Sequence, residues 1–279
     1  MWAFRLSKEV FVKAIDVHIH VPGPPGSGTS AASEAMNTYF GAQGGRSAED
    51  MAEMYEKDDI FGVIFGGDSE WTQTVVERYP GRFMGFTYAN PHDGKDAVEK
   101  VVKGYEKHNL RGLKVHPPGQ AFYPNDETFY PLWQKCSDLK IPVLLHTGQT
   151  GVGAGMPGGN GVKLKYGQPI PYIDDMAADF PDLKIIMAHP AVPWQEEQLS
   201  VLVHKPNVYM DLSGWSPKYF RPILVQYMNS IVQNKVLFGS DFPVLTAERW
   251  MKDFETLELK PEVRQKILLD NAKKLLNIE

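Results

Sequence analysis

Short apolar runs recur along the chain, each closed by Gly, Pro, Asn or a charged residue, with longer amphipathic stretches between them. Eight of these runs predict strands: 13–19 (KAIDVHI), 60–65 (IFGVIF), 83–88 (FMGFTY), 111–115 (RGLKV), 141–145 (IPVLL), 183–188 (LKIIMA), 207–212 (NVYMDL) and 235–239 (KVLFG). Continuous apolar runs of this length fit parallel strands covered on both faces. Helical patterns fall between them. Residues 94–107 place Ala97, Val101 and Tyr105 at four-residue spacing, one apolar stripe of helical period. Residues 261–276 open on Pro261 at a helix-start position, then align Val263, Ile267, Leu268, Ala272, Leu275 and Leu276 on one face. Strand–helix alternation predicts a parallel α/β fold, and eight repeats predict a (β/α)8 TIM barrel.

Two segments interrupt the alternation. Residues 22–30 (PGPPGSGTS) follow the first strand, and residues 147–168, which contain GVGAGMPGGNG, follow the fifth. Gly and Pro at this density exclude helix and strand interiors. Both segments follow the C-terminal ends of strands, the face on which barrels build their active sites. We therefore expect loops 22–48 and 147–168 to set specificity. The second loop contains a formal G-x-G-x-x-G at Gly153, Gly155 and Gly158, but Pro157 stands where a dinucleotide-binding helix would begin.

Length and composition agree with this frame. The 279 residues divide into eight units of roughly 35, enough for a strand, a helix and two loops. No polar linker or charge block divides them, so residues 1–279 are expected to form a single domain. A hydrophobic fraction of 43% and a charged fraction of 23% suit a globular core. The net charge of −5 argues against nucleic acid or an anionic membrane as partner. The lone Cys136 rules out an intramolecular disulfide and fits a reducing compartment. Arg5, Lys8, Glu9 and Lys13 interrupt any signal-peptide core, and no apolar run reaches membrane-spanning length. The expectation is a soluble, cytoplasmic protein acting on a small molecule.

The candidate chemistry lies at strand ends. In Asp16-Val17-His18-Ile19-His20, strict alternation puts Asp16, His18 and His20 on one face and Val17 and Ile19 on the other. Two imidazoles so placed can reach one cation. His146 closes the fifth run, His189 the sixth and Asp241 the eighth. On one barrel rim these five side chains would converge, and buried metal-competent groups need a shared partner. The fourth run adds Lys114 and His116. A buried Lys114 requires pairing, with Asp16 or Asp211 as candidates, or modification. His116 either faces a substrate or caps the chain. Trp215, after the seventh run, is a candidate pocket wall, and Glu34, Arg46 and Arg221 are candidates to hold a substrate carboxylate. His92, His108 and His204 fit the surface, and Cys136 fits helix packing. Neither a G-x-S-x-G elbow nor a P-loop is present.

Taken in order, DVHIH (16–20), GLKVHP (112–117), PVLLHTG (142–148), IIMAHP (185–190), VYMDLSG (208–214), VLFGSDFPV (236–244) and DNAKKLL (270–276) resemble the amidohydrolase superfamily. The subgroup is the one related to amino-carboxymuconate semialdehyde decarboxylase, the amidohydrolase-2 metal-dependent hydrolases. The resemblance spans nearly the whole chain. It implies a (β/α)8 barrel with one divalent metal, usually zinc. His18, His20, His146 and Asp241 would be its ligands, and His189 would stand beside it to polarise substrate or water. Asp241 and His189 would be the catalytic pair, with Lys114, His116 and Trp215 facing substrate. In binuclear branches a lysine on the fourth strand is carboxylated and bridges two metals, so Lys114 leaves a second ion open. The subgroup contains both hydrolases of small carboxylate-, lactone- or amide-type substrates and non-oxidative decarboxylases of aromatic or enoic acids. It often forms dimers, so the resemblance carries an expectation of a homodimer.

Overall fold

In the computed structural model, residues 12–28, 34–35, 38–39 and 46–279 are described. The charges Arg5, Lys8 and Glu9, and parts of loop 22–48, lie outside the described residues. Eight parallel strands follow one another in sequence order: β1 (Ala14–His20), β2 (Ile60–Phe65), β3 (Phe83–Tyr88), β4 (Leu113–Val115), β5 (Val143–His146), β6 (Ile185–Ala188), β7 (Val208–Asp211) and β8 (Val236–Leu237). β8 returns to β1 through Val17 N to Phe238 O at 3.0 Å, Asp241 N to His18 O at 3.0 Å and His20 N to Phe242 O at 2.9 Å. The result is the (β/α)8 barrel that the eight apolar runs predict.

The helices that concern the site are α1 (Ala48–Lys57), α2 (Ser69–Arg78), α3 (Lys95–Lys107), α4 (Tyr130–Asp138), α5 (Tyr172–Asp179), α6 (Gln195–His204) and α7 (Ala247–Phe254). Ser47 and Asp50 form a capping box that starts α1, satisfying two otherwise orphaned amides. The stripe predicted over 94–107 is the buried face of α3, with Ala97 and Val101 in the core. Among the described residues, no helix is long and apolar enough to cross a membrane.

Alternation along the strands divides the core in two. Ala14, Ile19, Ile60, Ile64, Leu113, Leu145 and Met210 pack against helix residues such as Met51, Tyr55 and Trp133. Ile15, Val17, Phe61, Val63, Phe65, Leu144, Ile186 and Leu237 fill the barrel itself, above Ala272 and Leu276 of the C-terminal segment.

Two local readings of the sequence are corrected. The C-terminal segment is not one regular helix: Pro261–Gln265 and Asn271–Leu276 flank a π-helical turn at Lys266–Asp270. There the Ile267 carbonyl accepts from Phe238 N at 3.0 Å, so the strand side of the barrel competes for a helical carbonyl. The extra residue rotates the buried face, which takes Leu269 rather than Leu268. The second correction concerns β1. Asp16 pairs with Gly62 but Ile19 pairs with Ile64, so β1 carries one extra residue, a β-bulge. Strict alternation fails there. Val17 packs inside the barrel and Asp16 turns outward to α1, while His18 and His20 both lie against Phe65 of the interior.

Candidate metal centre

The C-terminal rim of the barrel brings the predicted side chains together. His18 is fully buried, and its Nδ1 donates to Asp211 Oδ2 at 3.0 Å. A carboxylate only accepts, so this bond fixes the proton on Nδ1 and leaves Nε2 as a lone pair. That Nε2 lies 3.2 Å from Asp241 Oδ1, and His20 Nε2 reaches the same oxygen at 3.2 Å. Asp211 is held in turn by Ser213 N at 2.9 Å, His189 N at 3.2 Å and the Ser213 hydroxyl.

The other two histidines follow the same logic. His189 Nδ1 donates to Ser213 O at 3.0 Å, and His146 Nε2 donates to Gln149 O at 3.1 Å. Each neutral ring is then left with its opposite nitrogen as an acceptor, and those two nitrogens face each other at 3.0 Å. Burial keeps both rings neutral by pushing their pKa values down, reinforced at His146 by His116 and His189. Burial also pushes His18 down to about 3, with the Lys114 charge in support. At Asp211 and Asp241 burial acts upward, but His18 and the neighbouring histidines overcome it and hold both carboxyls below the usual range. The centre is therefore a set of lone pairs and carboxylate oxygens aimed at one another.

Such a set fits a cation, because acceptors that face acceptors at this depth need a shared positive partner, and the Lys114 ammonium reaches only His18 Nε2 among them, at 3.4 Å. His18, His189 and Asp241 offer ligand atoms within 4.8 Å of one another. His20 joins them through Asp241 and His146 through His189. The resemblance gave the metal to His18, His20, His146 and Asp241, with His189 beside it. The structure draws all five into one cluster and sets His189 with His18 and Asp241 at its centre.

Lys114 is buried beneath this cluster. Its Nζ donates to His18 Nε2 at 3.4 Å and stands over the Phe65 ring at 5.1 Å. Burial brings its pKa down to about 8, against the pull of Asp211 and Asp241. Asp16, turned outward by the bulge, is not its counter-ion. His116 Nδ1 accepts from Gly119 N at 2.8 Å, capping the short turn Pro117–Gln120, and its Nε2 lies 3.1 Å from Thr150 Oγ1. It therefore caps the chain and lines the cavity at once.

That cavity opens in two lobes of about 550 and 660 Å³ that share His146, His189, Asp241 and Arg46. Trp215, Tyr219 and Arg249 line the first; Lys114, His116, Trp71 and Pro22–Gly28 line the second. Thr150, Gly151 and Val152 of loop 147–168 reach it too. Arg221 lies elsewhere, against Glu196. Glu34 is exposed and contributes to neither lobe. His92 and His204 are exposed, His108 is half-buried and Cys136 is buried in α4.

Backbone conformation and packing set the site. His189 and Asp241 both have φ of 69°, a left-handed conformation that costs side-chain-bearing residues on the order of 1 kcal/mol and clusters at functional sites. Gly214 also has positive φ, and a Cβ there would lie 2.7 Å from His189 Nδ1. Gln198 of α6 donates to His189 O at 2.8 Å and to Thr147 Oγ1 at 3.2 Å, and accepts from Ala191 N at 3.0 Å. Sequence reasoning missed Gln198, Ser213 and the orienting role of Asp211. Asp211 alone carried a signal, as a carboxylate closing an apolar run.

The comparisons with known proteins agree with this architecture. An uncharacterized TIM-barrel protein from Bordetella bronchiseptica shares 24% identity, with a TM-score of 0.80 over 95% of this chain and 98% of that one. A 5-carboxyvanillate decarboxylase from Novosphingobium aromaticivorans with bound manganese gives a TM-score of 0.63 at 13% identity, over 98% and 99% of the two chains. A protein described as a probable 2-pyrone-4,6-dicarboxylic acid hydrolase, from Acinetobacter baumannii, gives 0.63 at 16% identity, over 95% and 99%. The uncharacterized protein y4mH of Sinorhizobium fredii is 23% identical over 64% of this chain, which spans 62% of that relative's length. At these identities the solved structures speak for the fold. The family model described as amidohydrolase matches residues 15–278, and the chain belongs to that family.

Proposed function

We propose that this protein is a metal-dependent hydrolase of a small carboxylate-, lactone- or amide-type substrate. The observation that supports it most is the convergence of unprotonated acceptors: His189 Nε2 against His146 Nδ1, and His18 Nε2 against Asp241 Oδ1. His18, His20, His146 and Asp241 would hold one divalent ion, with zinc favoured by imidazole and carboxylate donors. When bound, such an ion supplies Lewis acidity and a water of lowered pKa. The chain's own groups do the rest. Asp241, kept ionised, takes a proton from the attacking water and returns it to the leaving group. His189, whose Nδ1 proton is tied to Ser213 O, presents a bare Nε2 that accepts a hydrogen bond from the attacking water and polarises it. Lys114 and His116 approach the substrate from one lobe and Trp215 from the other.

A second reading is non-oxidative decarboxylation of an aromatic or enoic acid, favoured by the cations Lys114, Arg46 and Arg249 that line the cavity and suit a carboxylate. Product analysis separates the two. Oxygen-18 from water entering the product supports hydrolysis; CO₂ release without it overturns hydrolysis in favour of decarboxylation.

A further inference from the structure

The bulge in β1 leaves one buried carboxylate outside the cluster. Asp16 is fully buried, and both of its oxygens are engaged. Oδ1 accepts two backbone amides, His18 N and Ser240 N, each at 3.0 Å. Oδ2 accepts from the Tyr55 hydroxyl of α1 at 2.7 Å. Tyr55 Oη also lies 3.2 Å from Ser240 Oγ, which accepts from Phe242 N at 3.0 Å. These amides belong to His18 itself and to the two residues flanking Asp241. The regular ladder is short here, since β8 ends at Leu237, and Asp241 sits beyond it at positive φ. Backbone bonds from Asp241 N to His18 O and from His20 N to Phe242 O already join the two segments that carry His18, His20 and Asp241, and the Asp16 carboxylate adds a side-chain tie between them. Gly239 lets them approach, because a Cβ there would meet His18 Cβ at 3.1 Å.

We propose that Asp16, Tyr55 and Ser240 are positioning residues that fix the spacing between the histidines of the first strand and the aspartate after the last, and so preorganise the cation site. This rests on the metal-centre reading above. A bulge re-aims a side chain only as far as its freed amide is held, and Asp16 holds the amide of the re-aimed residue. Outer groups of this kind govern affinity through geometry.

The test is Mn²⁺ titration of metal-stripped protein, read by binding isotherm and by the paramagnetic resonance spectrum of the bound ion. Tyr55→Phe keeps the buried ring and removes only its hydroxyl. It is expected to weaken Mn²⁺ binding about tenfold and broaden the spectrum. Asp16→Asn is expected to weaken binding at least as much. Val75→Ala, a core truncation in α2, controls for general destabilisation and is expected to bind Mn²⁺ as the wild type does. Wild-type affinity and spectrum in Tyr55→Phe overturn the proposal, as does an equal loss in Val75→Ala. If Asp16→Asn does not fold, Tyr55→Phe decides. If folded wild type takes up no more Mn²⁺ than His18→Ala, the metal reading itself fails, and this inference fails with it.

Discussion

His189 Nε2 and His146 Nδ1 stand 3.0 Å apart, and the carbonyls of Ser213 and Gln149 claim the proton on the far side of each ring. A shared proton would make one ring an imidazolium where burial opposes charge, so a cation is the better occupant. Chelation should therefore lower thermal stability, and Zn²⁺ or Mn²⁺ should restore it. At a hundredfold excess over Kd the gain is about 2.7 kcal/mol, a melting shift of about 5 °C. Identical melting curves with and without chelator, and no metal in elemental analysis, would refute the metal centre.

His18→Ala or His20→Ala should strip metal and activity together. Asp241→Asn should retain much of the metal and lower turnover by about 10²–10⁴-fold, the usual contribution of a proton carrier. Turnover within a few-fold of wild type would remove Asp241 from that role.

Asp211 touches the centre through His18 Nδ1, the amides of His189 and Ser213 and the Ser213 hydroxyl. Asp211→Asn leaves the shape unchanged but no longer enforces the Nδ1 proton. Metal affinity should fall about 10–100-fold, measured by competition with a chromophoric chelator. Unchanged affinity would mean that packing alone orients His18.

Gly214→Ala forces a methyl group into His189 Nδ1 at positive φ. Turnover should collapse while far-UV circular dichroism stays native. Retained turnover would show that His189 can move without consequence.

His116, pushed down to about 3 by burial and then by Lys114, gives the pH dependence a sign. The unfolded chain takes up this proton below about pH 6.5, and the folded chain does so only near 3. Its stability contribution is therefore full above pH 6.5 and is lost as pH falls towards 3. At pH 5 the loss is on the order of 2 kcal/mol. His116→Asn keeps an acceptor for the Gly119 amide and should flatten urea midpoints between pH 7 and 5. A slope as steep as wild type would place the titration elsewhere.

All eight strands were legible because each is an apolar run buried on both faces, and burial writes itself into residue type. The rim residues were legible for the converse reason: His146, His189 and Asp241 are metal-competent groups set at the ends of apolar runs. The face of Asp16 was not legible. A bulge is a backbone event between β1 and its neighbours, and DVHIH reads the same with or without it. The π turn escaped for the same reason, since a strand amide, Phe238 N, competes for Ile267 O. Tyr55 and Gln198 lie on helices that look merely amphipathic, and only tertiary packing aims their polar ends at the rim.

The cluster draws its parts from both extremes of the barrel, His18 and His20 from β1 and Asp241 from just beyond β8. During synthesis the first two emerge early and must wait for nearly all the remaining chain. A chain that stops short of Asp241 lacks part of the cluster, and His18 meets Asp241 only where the first strand is joined to the last. Cation capture would then report on completed folding: a chain that holds the ion has joined its first strand to its last.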